Sequence, residues 1–147
     1  MTDLPAKTRP IRIHSLAEAR AACAAAAELG VPLLLVSAPG AAAYAGAGWF
    51  RAVIARAAAL HPSVEMAAVL NCADRPGDAL GALSAGIAAL LFTGRADVAA
   101  RLADIAARSG ARLLTDLPEP LDLRGVRDPQ RACREWLGGQ GDGHVTE

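Results

Sequence analysis

Apolar runs of strand length alternate five times with helix-like segments in this chain, and that rhythm constrains the fold more than any single motif. The runs are IRIHS (11–15), VPLLLVSA (31–38), SVEMAAVLN (63–71), IAALLFTG (87–94) and ARLLTD (111–116). VPLLLVSA is continuously apolar rather than alternating, the mark of a strand buried on both sides, as parallel sheets require. Between the runs the periodicity changes to that of helices. Ser15 and Glu18 have capping-box spacing for a helix that stops at Gly30. WFRAVIARAAAL (49–60) puts Phe50, Ile54 and Ala57 on one face. Another helix ends at Gly86, and ADVAARLADIAARSG (96–110) aligns Val98, Leu102 and Ile105. Its Asp97–Arg101 and Asp104–Arg108 spacings suit i,i+4 ion pairs. LPEPLDLRGVR (117–127) reads as an irregular connector, and Asp128-Pro129 caps a last helix ending at Gly138-Gly139.

The expected fold is therefore α/β, with a mainly parallel sheet of about five strands covered by helices on both faces. Residues 1–10 read as a flexible lead-in, 11–138 as one α/β domain and 139–147 as a loose tail. A chain of 147 residues buries roughly 70% of its unfolded surface, so it needs no metal or disulfide staple. Aromatic residues are only 3% of the sequence, and alanine carries much of its 53% hydrophobic content; such a core needs backbones that approach closely.

Fifteen acidic and fifteen basic residues balance, which argues against nucleic acid as a partner. No apolar stretch reaches the length of a membrane span, and the N-terminus lacks the apolar core of a secretory signal. Three widely separated cysteines, Cys23, Cys72 and Cys133, suit a reducing cytoplasm.

Strand ends are where α/β proteins place chemistry, which draws attention to NCADRPGD (71–78). Cys72 is a candidate nucleophile; its plainer reading is a small buried residue. Asn71, Asp74 and Asp78 can offer oxygens to a hard cation, or simply build a turn and a helix start. The loop SAPGAAAYAG (37–46), with Ser37 and Gly40, lets a ligand approach the backbone, although it is not a P-loop. His14 ends the first strand and would line the same mouth. Arg124, Arg127, Arg131 and Arg134 form a local basic cluster that binds an anion or faces solvent. Trp49, Phe50 and Trp136 read as packing or interface anchors.

Several of these pieces lie in register with one family. Ile13-His14-Ser15, Pro39-Gly40 followed by Tyr44-Ala45-Gly46, Ala85-Gly86-Ile87 and Phe92-Thr93-Gly94 resemble the zinc-dependent class II aldolases, especially the tagatose-bisphosphate branch. The resemblance covers residues 11–117, the first four or five strands of an eight-stranded βα barrel. It implies a truncated, half TIM barrel or an open three-layer sandwich. The family's third strand ends in an aspartate proton donor followed by a zinc-ligating histidine; Asn71 and Cys72 stand in those places. An amide cannot exchange that proton. A thiolate can bind zinc, but a catalytic zinc needs three protein ligands and an open position. The family's remaining zinc histidines and phosphate loops lie in later strands, while Asp116 is similar to a family glutamate.

The resemblance thus implies a diverged aldolase-like domain without zinc aldolase activity and without a cofactor, Cys72 being a metal ligand only where a residual site survives. Such a domain would bind a small molecule or a protein partner at the C-terminal edge of the strands, through His14, Ser37, Gly40 and Asn71. One alternative is an enzyme reusing Cys72, Asp74 and Asp116 on a phosphorylated sugar. Another is a structural subunit, since an unclosed half barrel exposes sheet edges and favours a homo-oligomer.

Overall fold

The computed structural model describes residues 8–142. Its elements are β1 (Pro10–Arg12), α1 (Leu16–Leu29), β2 (Leu33–Val36), α2 (Ala41–Tyr44), α3 (Ala47–Leu60), β3 (Met66–Asn71), α4 (Pro76–Ser84), β4 (Ala89–Leu91), α5 (Ala96–Arg108), β5 (Arg112–Leu114), β6 (Leu121–Asp122) and α6 (Pro129–Asp142). The six strands form one sheet in the order β5-β4-β3-β2-β1-β6, and every pairing is parallel. The fold is α/β, as the alternating runs predict, with one strand more than expected.

Helices do not cover both faces. Ile11, Ile13, Leu33, Leu35, Leu70 and Leu90 share one buried cluster with residues from α1, α3, α4, α5 and α6. The alternate strand residues Leu34, Val36, Ala67, Val69, Ala89 and Leu91 form a second cluster that contains no helical residue. Right-handed crossovers between strands laid down in consecutive order place every helix on the same side, which corrects the two-faced expectation.

The second face is nevertheless buried: Val69 is fully inaccessible. Connectivity explains how. Through the strand pairings, Leu121 is level with Ala68, and Leu114 with Asn71. In a flat sheet the two leucines would lie five strand spacings and three rungs apart, about 26 Å. The connector between them can reach at most about 25 Å. The connector therefore crosses the second face close to its full reach, and Leu117 packs against the second cluster on the way.

Local capping follows the sequence closely at α1. The Ser15 hydroxyl accepts from the Glu18 N–H at 3.1 Å, and Gly30 closes the helix with a left-handed φ of 65°. Elsewhere the helices differ in rotation. In α5 the buried residues are Ala99, Leu102 and Ala106, while Ile105 is 37% exposed. In α3 Val53 is buried between Phe50 and Ala57, and Ile54 is only partly covered. Alanine at the contact lets the helix sit closer to the sheet than a larger side chain would, so the small face turns inward. Asp97 pairs with Arg95 through two hydrogen bonds of 3.1 and 2.8 Å, a bidentate contact, and not with Arg101.

The last helix continues through Gly138-Gly139 to Asp142 rather than stopping at the glycines. It packs on α1, with Cys133 and Leu137 buried and Glu28 bonded to Gln130 and Arg134. Arg9 lies 3.5 Å over the Trp136 ring and donates to the Trp136 carbonyl at 3.0 Å, tying the start of β1 to α6. Residues 1–7 of the expected lead-in (1–10) and residues 143–147 of the expected tail lie outside the described residues, and Pro10 already belongs to β1. Among the described residues no helix is long and apolar enough to cross a membrane.

Candidate functional site

Neighbouring strands β1 and β6 bring four charged residues to one place. Arg12 ends β1 and His14 follows two residues later, just past the strand, so both side chains reach Asp122. Asp122 is the direct pairing partner of Arg12. His14 Nε2 is hydrogen-bonded to Asp122 Oδ1 at 2.6 Å, and Arg12 Nη1 lies 3.5 Å from Oδ2. The Arg124 N–H donates to Oδ1 at 3.0 Å. An ionised carboxylate only accepts, which assigns a proton to Nε2. The His14 N–H donates to Glu18 Oε1 at 2.7 Å, so the start of α1 fixes the histidine backbone. Burial works to raise the Asp122 carboxyl. The Arg124 N–H, the His14 hydrogen bond and the charges of His14 and Arg12 outweigh it and hold the carboxyl below its ordinary value.

His14 and Arg124 open onto a cavity of about 280 Å³ at the C-terminal ends of β1 and β2. Its other walls are Ile13, Ala38 and Ala41, with Tyr44, Ala45 and Trp49 from the small-residue loop that contains α2 and from the start of α3. The alanines of this loop leave the space open. Tyr44, 69% exposed, supplies a ring at its edge, and Trp49 is half-buried. The Arg124 guanidinium has no acidic partner among the described residues, so its charge is available to a ligand.

The remaining sequence candidates sit elsewhere. Ser37 is fully buried; its hydroxyl donates to the Ala38 carbonyl at 3.0 Å and accepts from the Asn71 N–H at 2.9 Å. Gly40, with φ of 74°, donates its N–H to the Asn71 carbonyl and starts α2. Asn71 Oδ1 accepts from the Ala73 N–H at 2.9 Å, holding a turn in which Ala73 has a left-handed φ of 53°. These three residues stitch the ends of β2 and β3 together beneath the loop. Cys72 is fully buried; desolvation, and secondarily the charge of Asp78, push its thiol up to about 11. A thiol so placed is a poor nucleophile at neutral pH. Asp74 and Asp116 are exposed, and Asp78 is engaged by Arg75 at 2.6 Å.

Zinc is the metal the aldolase resemblance implies. Among the described residues no three of His, Cys, Asp and Glu stand close enough to hold a metal ion. Cys72 Sγ is directed at the Leu70 carbonyl at 3.9 Å, and the Asn71 amide oxygen is already bonded. This donor set does not fit a catalytic zinc ion.

Asp122 escaped notice in the sequence, although LDLR (121–124) carries the alternation of a short strand. Two prolines just before it favoured a connector. No family model and no curated protein matches this chain.

Proposed function

We propose that this chain is a diverged, aldolase-like α/β domain that binds a small anionic molecule at the C-terminal edge of its sheet and is not a zinc aldolase. One observation carries the reading: Arg124, with no acidic partner among the described residues, and His14, held from behind by Asp122, line the same cavity. Arg124 supplies the charge and directed donors that a phosphate or carboxylate needs. Trp49 and Tyr44 offer apolar faces to the rest of the ligand, and His14 presents Nδ1 to exchange a hydrogen bond or a proton with it. Within this reading Cys72 and Asn71 are framework residues, and the ligand class is that of phosphorylated sugars.

Calorimetric titration with triose and hexose phosphates tests the proposal, with inorganic phosphate alongside to separate the anion from the sugar. Binding in the wild type that weakens about tenfold in Arg124→Gln supports it. Binding unchanged in both Arg124→Gln and His14→Gln, or none at all, overturns it. Retro-aldol cleavage by the zinc-supplemented protein overturns the second half of the reading.

A further inference from the structure

A second cavity lies away from the His14 site and shares no residue with it. It occupies the gap between α3 and the N-terminal ends of β3 and β4, with a volume of about 280 Å³. Its cause is compositional. The floor on the helical side of the sheet is Ala68 and Ala88, whose methyl groups are too short to fill the space beneath a helix. Helix α3 packs towards α1 while α4 packs towards α5, so neither closes the gap. Phe50, Ile54, Met66 and Ile87 make the walls apolar.

The rim is charged with one sign only. Arg51 and Arg112 both line the cavity, and no acidic residue does. Arg51 spends one N–H of Nη1 on the Ala85 carbonyl at 3.0 Å, which anchors the guanidinium over Gly86 and leaves its other donors to a ligand. An apolar chamber under a cationic rim selects an occupant with an apolar body and an anionic end. At about 30 Å³ for a group the size of a water molecule, the volume holds roughly nine such groups. We propose that this groove binds a medium-chain amphipathic carboxylate, with its chain over the alanine floor and its carboxylate at Arg51. The site is independent of the sugar-phosphate reading.

Sodium octanoate is the probe, with octylamine and octanol as controls of matched length, followed by calorimetry and thermal unfolding. Octanoate binds the wild type, octanol binds more weakly and octylamine does not bind. Arg51→Gln, an exposed position that leaves the core intact, weakens octanoate about tenfold. Ala68→Leu fills the floor and abolishes binding, while His14→Gln binds octanoate like the wild type. Circular dichroism of both groove variants confirms that they are folded. The proposal is overturned by the absence of octanoate binding, by equal binding of octylamine, or by affinity that neither groove variant changes. It is equally overturned by a wild-type dimer that Ala68→Leu converts to monomer, since the occupant would then be a second copy of the chain.

Discussion

Asp122 meets His14 across 108 positions of sequence, Oδ1 to Nε2 at 2.6 Å, and in doing so ties β6, a strand of only two residues, to the end of β1. The carboxyl is held below its ordinary value, so the folded state binds its proton more weakly than the unfolded chain does. Its stabilising contribution is complete above the unfolded carboxyl value, near 4, and is lost as pH falls through the lower folded value. Asp122 is 42% exposed, so solvent screening limits the contribution to about 0.5 kcal/mol. Urea unfolding at a series of pH values from 7 to 3 should show a shallower acid decline in Asp122→Asn than in wild type, with the gap closing in high salt. Parallel pH curves would show that the pair contributes nothing to the fold.

The three thiols should be silent in the folded protein. Cys23, Cys72 and Cys133 are fully buried, and desolvation leads the causes that push them to about 11, 11 and 12. At pH 8, labelling with a thiol-specific reagent should proceed only as fast as the protein opens, and denaturant should release all three together. Because the folded values are raised, the thiols' stabilising share is full below about pH 9 and is lost as pH rises through 11 to 12. Cys72→Ala should therefore flatten part of the alkaline decline. Rapid native labelling of one cysteine, traced to Cys72 by peptide mapping, would restore it as a nucleophile candidate.

The turn after β3 makes opposite predictions for changes at its two ends. Asn71→Ala removes the acceptor for the Ala73 N–H at a position only 6% exposed, and should cost about 1–2 kcal/mol. Ala73→Gly relieves a left-handed alanine worth roughly 1 kcal/mol, partly offset by the greater entropy of unfolded glycine. It should leave the protein unchanged or more stable by about 0.5 kcal/mol. Denaturant midpoints of the two variants decide the matter: a loss of about 1 kcal/mol in Ala73→Gly would mean that the alanine methyl packs more than it strains.

Much of the framework was legible because local signals agreed with the tertiary outcome. Ser15, Glu18 and Gly30 delimit α1 in the sequence and in the structure alike, and the run through Leu33–Val36 becomes a fully buried strand. What the sequence concealed depends on long-range pairing. Leu121–Asp122 is a strand only because β1 offers an edge, and Asp122 becomes a site residue only through that pairing. In α5 the larger Val98 and Ile105 mark an amphipathic face, yet the close-packing Ala99 and Ala106 are the residues that meet the core. At the strand ends Asn71 and Cys72 look like chemistry, because buried polar and sulfur side chains do look so until their hydrogen bonds are known.

Gly94 offers a final test of the packing at the C-terminal end of β4. A methyl group added there would lie 2.5 Å from Phe92 Cζ and about 3.0 Å from the adjacent ring carbons, and Phe92 is itself 1% exposed. The glycine has an ordinary backbone conformation, so its role is close approach and not a special φ. Gly94→Ala should cost about 1–3 kcal/mol by overpacking. Phe92→Leu shortens the side chain that obstructs the methyl. In that background the same change should cost less than about 1 kcal/mol, a coupling that a double-mutant cycle measures directly. Additive losses would mean that the ring moves aside freely, and that some other contact keeps position 94 small.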